Sequence, residues 1–153
     1  MIDLTNESGE VVDESGLVAL TRFALAKLHI HPEAEVSILL VDEGTMAVYH
    51  ERFLDEPGPT DVLSFPMDEL RPPAPGEEPP LGLLGDVVLC PAVATRQATE
   101  AGRRPGEEIG YLLIHGLLHL LGFDHAEPQE KKVMFNLNDA IAGAWAAERR
   151  QQP

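Results

Sequence analysis

Residues 115–125 read His-Gly-Leu-Leu-His-Leu-Leu-Gly-Phe-Asp-His and contain three of the six histidines of the chain. His115 and His119 are four residues apart, so on a helix they project from the same face, one turn above the other. Gly122 can adopt the left-handed conformation that ends a helix and turns the chain back. The turn then brings His125 to the same place. The pattern therefore predicts a helix and a turn that together hold three imidazoles.

Three converging imidazoles predict a metal site. Zinc binds neutral histidine, and three protein ligands leave one position of its tetrahedron free, which is typical of a catalytic site rather than a structural one. We therefore expect one Zn2+ ion bound by His115, His119 and His125. Asp124 and Asp139 are candidates to accept a ring N–H and so to orient a ligand.

The composition is that of one soluble domain, which we expect to span residues 1–153. Hydrophobic residues make up 44% of the chain, enough to bury a core. The single cysteine, Cys90, excludes an intramolecular disulfide and is typical of a reducing compartment. The N-terminus shows no signal-peptide pattern, and no apolar run is long enough to cross a bilayer. We expect a cytoplasmic protein with no membrane partner.

The charge is strongly acidic, with 26 Asp and Glu against 11 Lys and Arg and a formal net charge of -15. Such a chain repels nucleic-acid phosphates at long range. An RNA-directed role would therefore need a local basic patch, the metal, or a basic partner protein that delivers the substrate. Lys131 and Lys132, shortly after the third histidine, form either an RNA-facing rim or a solvated helix face.

Hydrophobic periodicity predicts four strands, at residues 2–5, 35–42, 61–67 and 85–90. It predicts five helices, at residues 13–29, 44–54, 91–102, 107–121 and 127–149, the first capped by Asp13 or Ser15. Residues 69–80 hold five prolines and are expected to form a flexible loop, and residues 150–153 a tail. Strands and helices mix without strict alternation. We therefore predict an α+β domain with a small mixed sheet of about four strands, packed with about five helices and carrying the metal site on a core helix and the turn after it.

The residue after the first histidine distinguishes between zinc enzymes. Zinc proteases with this order of histidines carry glutamate there, as the general base. This chain has Gly116, which has no side chain to take a proton. A peptidase of the usual arrangement is disfavoured. Hydrolysis of RNA remains open, because a 2′-hydroxyl lies beside each phosphodiester.

The histidine stretch closely resembles the signature of the YbeY endoribonuclease family, the bacterial rRNA maturation factors. Two further blocks are similar to those of the family: Pro-Thr-Asp-Val-Leu-Ser-Phe-Pro at residues 59–66 and Leu-Gly-Asp-Val-Val at residues 84–88. The three blocks follow the family's order with similar spacing, and the likeness covers nearly the whole chain.

The resemblance implies a single-strand-specific, metal-dependent endoribonuclease with zinc as its metal. It implies a role in 16S rRNA 3′-end maturation and in ribosome quality control. The partners would be RNA and the small ribosomal subunit with its basic proteins, and no DNA substrate is expected. An acidic surface that meets basic ribosomal proteins would reconcile the charge of the chain with an RNA substrate.

The resemblance also implies an arginine that faces the metal cleft. The family has Asn and then Tyr-Arg before the Pro-Thr-Asp strand, and without gaps these positions are His50, Phe53 and Leu54 here. Arg52 lies two residues early. It takes the catalytic role if the helix end is rearranged around the turn at residues 57–59. In a continuous helix two residues are about 200° apart, and Arg52 would then point elsewhere.

Two other functions stay open on the sequence. One is a ribosome-assembly protein whose zinc is structural and which does not cut RNA, as the acidic surface and the displaced arginine would allow. The other is a zinc peptidase whose general base comes from another segment.

Overall fold

The computed structural model describes residues 1–58 and 60–151. Within them the chain forms, in order, β1 (Ile2–Asn6), α1 (Glu14–Lys27), β2 (Glu35–Leu40), α2 (Glu43–Leu54), β3 (Val62–Pro66), β4 (Leu83–Leu89), α3 (Pro91–Ala101), α4 (Pro105–Leu120) and α5 (Pro128–Gln151). The strands form one sheet in the order β1-β2-β4-β3. The β1–β2 and β2–β4 pairs are parallel, and β3 pairs antiparallel with β4. The predicted α+β fold with a small mixed sheet is confirmed.

Helix starts follow from short polar side chains and prolines. Asp13 accepts a hydrogen bond from the Gly16 N–H at 3.1 Å and caps α1, so of the two predicted caps the structure uses Asp13 rather than Ser15. Pro105 occupies the first turn of α4, where its missing N–H would have had no helical partner.

The sheet packs on both faces because alternate strand residues point to opposite sides. On one side α1, α4 and α5 bury the main core with the strand residues Val36, Ile38, Leu40, Val87 and Leu89. On the other side a smaller cluster brings together Val41, Met46, Leu63, Val88, Cys90 and Val93. Burial raises the pKa of the Cys90 thiol, as expected of a small core residue. The main core fixes α4, and α4 carries the histidines.

The C-terminal helix is longer than predicted. α5 continues to Gln151, so residues 150 and 151 belong to the helix and not to the predicted tail. The end of the chain offers Ala, Glu, Arg and Gln, which favour helix, and contains no helix-breaking residue before Pro153. Residues 152 and 153 lie outside the described part. Every helix in that part is too short or too polar to span a membrane.

The Pro-rich segment 69–80 forms neither helix nor strand, as predicted. Leu70 near its start packs against the main core. The carbonyl of Pro80 at its end accepts a hydrogen bond from the His31 N–H at 3.1 Å. Both ends of the loop are thereby fastened to the domain.

Candidate metal centre

Helix α4 holds the first two histidines in place because it runs through the core. Glu107 and Glu108 lie in its first turn, where negative charge interacts favourably with the helix dipole. Ten of its sixteen residues are buried, so packing determines its position against the sheet. His115 and His119 lie on its half-buried face.

Gly122 ends this helix as predicted. Its φ of 91° is in the left-handed region. The N–H groups of Gly122 and Phe123 donate to carbonyls in the last turn of α4, both at 3.0 Å, in the pairing of a Schellman motif. The guanidinium of Arg71 lies across the glycine, and a Cβ added there would collide with it. The turn therefore favours glycine for its left-handed conformation, and it carries His125 back toward α4.

The three predicted ligands come together. One ring nitrogen from each of His115, His119 and His125 lies within 4.8 Å of the other two. The centroid of the His115 ring lies 4.7 Å from that of His119 and 5.5 Å from that of His125, and the His119 and His125 centroids are 5.2 Å apart. Tetrahedral zinc needs its ligand nitrogens about 3.3 Å apart, a spacing that small side-chain rotations would reach. His125 is exposed, so the site opens to solvent on one side.

The surroundings keep the two half-buried rings, those of His115 and His119, neutral. Burial, and after it the neighbouring His119 and His125, lower the pKa of His115 to about 4. Burial, and after it His125, also lowers the pKa of His119. Both rings are therefore uncharged at neutral pH and have lone pairs available. Neutral imidazoles are the donors that zinc binds, so the residues fit this metal.

We expect the metal-free protein to lose stability as the pH falls from about 6.5 toward 4. An unfolded histidine takes up a proton near pH 6.5, roughly its unperturbed pKa. Folded His115 stays neutral down to a pH of about 4. Between these values the unfolded chain binds more protons than the folded one, so acid favours unfolding, and above the unfolded pKa the loss disappears. Thermal unfolding in excess chelator across this window measures the effect.

The matched control for that measurement is His115→Asn, which cannot titrate at this position. It should lose less stability than the unchanged chain over the same pH range. Equal losses in the two proteins would show that His115 does not stay neutral in the fold.

The residue after the first histidine faces the sheet and not the metal site. The carbonyl of Gly116 accepts a hydrogen bond from the Ser64 hydroxyl at 2.8 Å. A Cβ at Gly116 would lie 2.7 Å from Val87 and 3.1 Å from Val62. A glutamate has no room there, so the position that holds the base in zinc proteases is closed by packing.

The two carboxylates predicted to orient ligands make other hydrogen bonds. Asp124 accepts the backbone N–H of His125 at 2.7 Å and shapes the turn. Asp139 accepts the hydroxyl of Tyr111 at 2.7 Å. Burial, and after it this hydrogen bond, raises the pKa of Tyr111 to about 12. Neither carboxylate hydrogen-bonds to a histidine ring among the described residues.

The predicted catalytic arginine lies on an unbroken helix. α2 continues through Arg52 to Leu54, so the rearranged helix end on which its role depended does not occur before residue 55. Pro59, part of the turn predicted at residues 57–59, lies outside the described residues. Among the described residues, Arg71 packs its guanidinium against Gly122 in the histidine turn. Arg71 was not predicted as a site residue, because a lone arginine in a Pro-rich loop carries no signal of where it packs.

One of the two predicted rim lysines borders the site. The ammonium of Lys131 lies 5.9 Å from the centre of the Phe135 ring. That ring lies 5.6 Å from the His115 ring and 6.2 Å from the His125 ring, centroid to centroid. Lys131 and Lys132 are both exposed. Positive charge thus lies one aromatic ring away from the histidines.

Comparison with known proteins identifies the family. The family model described as Endoribonuclease YbeY matches residues 3–146. Endoribonuclease YbeY of Cutibacterium acnes is 66% identical over 151 residues, which cover 99% of this chain and 97% of the relative. The relative of the same name from Thermobifida fusca is 57% identical over 144 residues, covering 94% and 93%. The solution structure of TM1509 from Thermotoga maritima matches with a TM-score of 0.66 and 25% identity, over 100% of this chain and 94% of that one. Fold, histidine cluster and full-length similarity agree, and the chain belongs to the YbeY family of endoribonucleases.

Proposed function

We propose that this chain is a zinc-dependent endoribonuclease that cuts single-stranded RNA and acts in 16S rRNA 3′-end maturation and ribosome quality control. The observation that carries the proposal is the convergence of His115, His119 and His125 at one point open to solvent. The relatives' name, endoribonuclease, supports RNA as the substrate.

The chemistry follows from three imidazole donors with one open side. Zinc bound there would polarise a phosphoryl oxygen and lower the pKa of water. The chain offers no carboxylate base after His115, because Gly116 is packed against the sheet. A 2′-hydroxyl beside the scissile phosphate provides a nucleophile within the substrate itself, so RNA is a better match to this site than a peptide or DNA.

The direct test compares a single-stranded RNA, the same RNA in a duplex, and the matching single-stranded DNA. We expect the zinc-loaded protein to cut only the single-stranded RNA, the chelated protein to cut none, and added zinc to restore cleavage. Undiminished cutting by protein shown to be metal-free would refute zinc dependence. Equal cutting of the duplex would refute single-strand specificity.

The charge supports a protein partner. A surface with a net charge of -15 repels free RNA. The same surface attracts basic proteins of the small ribosomal subunit and would steer the enzyme to rRNA already held there. We place this encounter in the cytoplasm.

Although α2 is unbroken at Arg52, Arg52 stays the proposed source of positive charge that stabilises the phosphate in the transition state, because it is the arginine nearest in sequence to the family's position at residue 54. Its neighbour Phe53 packs against Phe65 of β3 with ring centroids 5.2 Å apart, and β3 also contacts α4. Arg52→Ala is expected to lower kcat about 10-fold or more while leaving the melting temperature unchanged. Steady-state cleavage of a single-stranded RNA measures this.

Arg71→Ala is the matched comparison, since Arg71 is the cation seen at the histidine turn. If Arg52→Ala changes kcat by less than about threefold and Arg71→Ala lowers it more, the role belongs to Arg71 and the assignment to Arg52 is wrong.

The second candidate function is a ribosome-assembly protein with a structural metal. It is favoured by one feature: a metal on all three histidines would fasten His125 and its turn to α4, whatever the chemistry. This reading requires that chelation unfolds the chain and that zinc-loaded protein, at low nuclease background, cuts no RNA.

A further inference from the structure

The buried polar side chains of the domain are few, and one lies beside the metal site. Thr21, Glu108 and Asn138 are the buried polar or charged residues among those described. The Thr21 hydroxyl donates to the Leu17 carbonyl at 2.8 Å, and Glu108 pairs with Arg103. Asn138, on α5, has no solvent exposure and only part of its hydrogen-bonding capacity is used.

The amide of Asn138 is anchored at the level of His115. Its Nδ2 donates to the carbonyl of Tyr111 at 3.4 Å. In an α-helix that carbonyl also receives the N–H four residues on, which is that of His115. Helical side chains lean toward the N-terminus, so the His115 side chain extends toward the same turn. Phe135, one turn earlier on α5, already lies against the His115 ring at 5.6 Å.

The other end of this amide lacks a partner. Asn138 Oδ1 is buried and makes no hydrogen bond of good distance and angle among the described residues. An unsatisfied buried acceptor destabilises the fold, so such an atom calls for an explanation. The ring of His115 is the group that provides one. His115 follows Tyr111 by one turn on α4, and its ring packs against Phe135, one turn before Asn138 on α5.

A carbonyl oxygen can only accept, so its partner must be a ring N–H. A neutral imidazole that donates from one nitrogen keeps its lone pair on the other. We propose that Asn138 is a positioning residue that accepts the N–H of His115 and holds that ring in the single tautomer and orientation that bind the metal. The inference rests on the metal centre of the proposed function but not on its RNA substrate.

The test replaces the amide with an apolar side chain of similar size, Asn138→Leu, in the full chain. Zinc affinity is measured by competition with a chromophoric chelator at neutral pH. Loss of a ligand's hydrogen-bond partner typically weakens metal binding 10- to 100-fold, and we expect a loss of about that size. Asn138→Asp keeps an acceptor oxygen and should retain zinc affinity within about threefold.

Tyr111→Phe is the control, because it removes the Tyr111–Asp139 hydrogen bond between the same two helices without touching Asn138. It should bind zinc as tightly as the unchanged chain. A second readout is the tautomer of His115 from long-range 1H–15N NMR. The unchanged chain should show one tautomer with a slowly exchanging ring N–H, and Asn138→Leu a mixture of two.

Folded Asn138→Leu protein with unchanged zinc affinity and one His115 tautomer would overturn the proposal. If that variant does not fold, the spectrum of the unchanged zinc-loaded chain decides, and a His115 ring N–H that exchanges as fast as that of exposed His125 would overturn it. Zinc binding is measured without RNA. Failure to cut RNA with normal zinc binding would therefore count against the proposed function alone.

Discussion

His119→Ala is expected to abolish RNA cleavage, with a fall in rate of at least about 10³-fold, or roughly 4 kcal/mol of transition-state stabilisation. The His119 ring lies 4.7 Å from that of His115 and 5.2 Å from that of His125, centroid to centroid. Its removal leaves two imidazoles, too few for a catalytic zinc site of three protein ligands. Cleavage rate and bound zinc per chain should fall together.

The fold should survive this change, because alanine is the best helix former and His119 is only half-buried near the end of α4. The control is His29→Asn. His29 is exposed with a φ of 60°, a conformation that asparagine tolerates, and lies outside the histidine cluster. It should keep the full rate and one zinc. Normal turnover by zinc-free His119→Ala protein would exclude the three-histidine site as the seat of the chemistry.

Much of the fold could be predicted because its signals are local. The apolar run of β2, the Asp13 cap of α1 and the Gly122 end of α4 each depend on residues close together in the sequence. The strand order could not be predicted in the same way. That β4 lies between β2 and β3, and pairs parallel with one and antiparallel with the other, depends on which buried faces fit α1 and α4.

In the metal centre too, the short-range features could be predicted and the long-range contacts could not. The spacing of the three histidines predicted their convergence, because a helix and a Schellman turn are short-range structures. Which distant groups approach them could not be predicted. Asp139 was the expected orienting residue on α5, but neighbouring helix positions point about 100° apart. Asp139 therefore faces Tyr111 and accepts a hydrogen bond from its hydroxyl at 2.7 Å, whereas Asn138 points into the interior.

Gly116 shows why two proteins with the same spacing of metal-binding histidines need not share a mechanism. In zinc proteases with the same order of histidines, the residue after the first one supplies the base. Here α4 approaches the sheet so closely that Ser64 bonds directly to the Gly116 carbonyl. The face of the helix that would carry a base is thus part of the protein core.

Gly116→Ala is therefore expected to destabilise the fold by about 1–3 kcal/mol, because a Cβ would meet Val87 at 2.7 Å. For a domain of this size that corresponds to a fall in melting temperature of roughly 2–4 °C per kcal/mol. Gly116→Glu should cost more, since it also buries an unpaired carboxylate. Neither variant should hydrolyse casein. Thermal unfolding and a peptidase assay with quantified zinc measure both outcomes.

Gly143→Ala is the matched control. Gly143 lies within α5, and a Cβ there meets nothing within 4 Å. Alanine should therefore stabilise the helix by about 0.5–1 kcal/mol, the opposite sign from position 116. A Gly116→Glu protein with an unchanged melting temperature would mean that this position faces open space beside the histidines. If the Gly116→Glu protein also hydrolysed peptides, the zinc-peptidase hypothesis would have to be accepted again. The packing of α4 against β3 and β4 is the physical reason for rejecting that function.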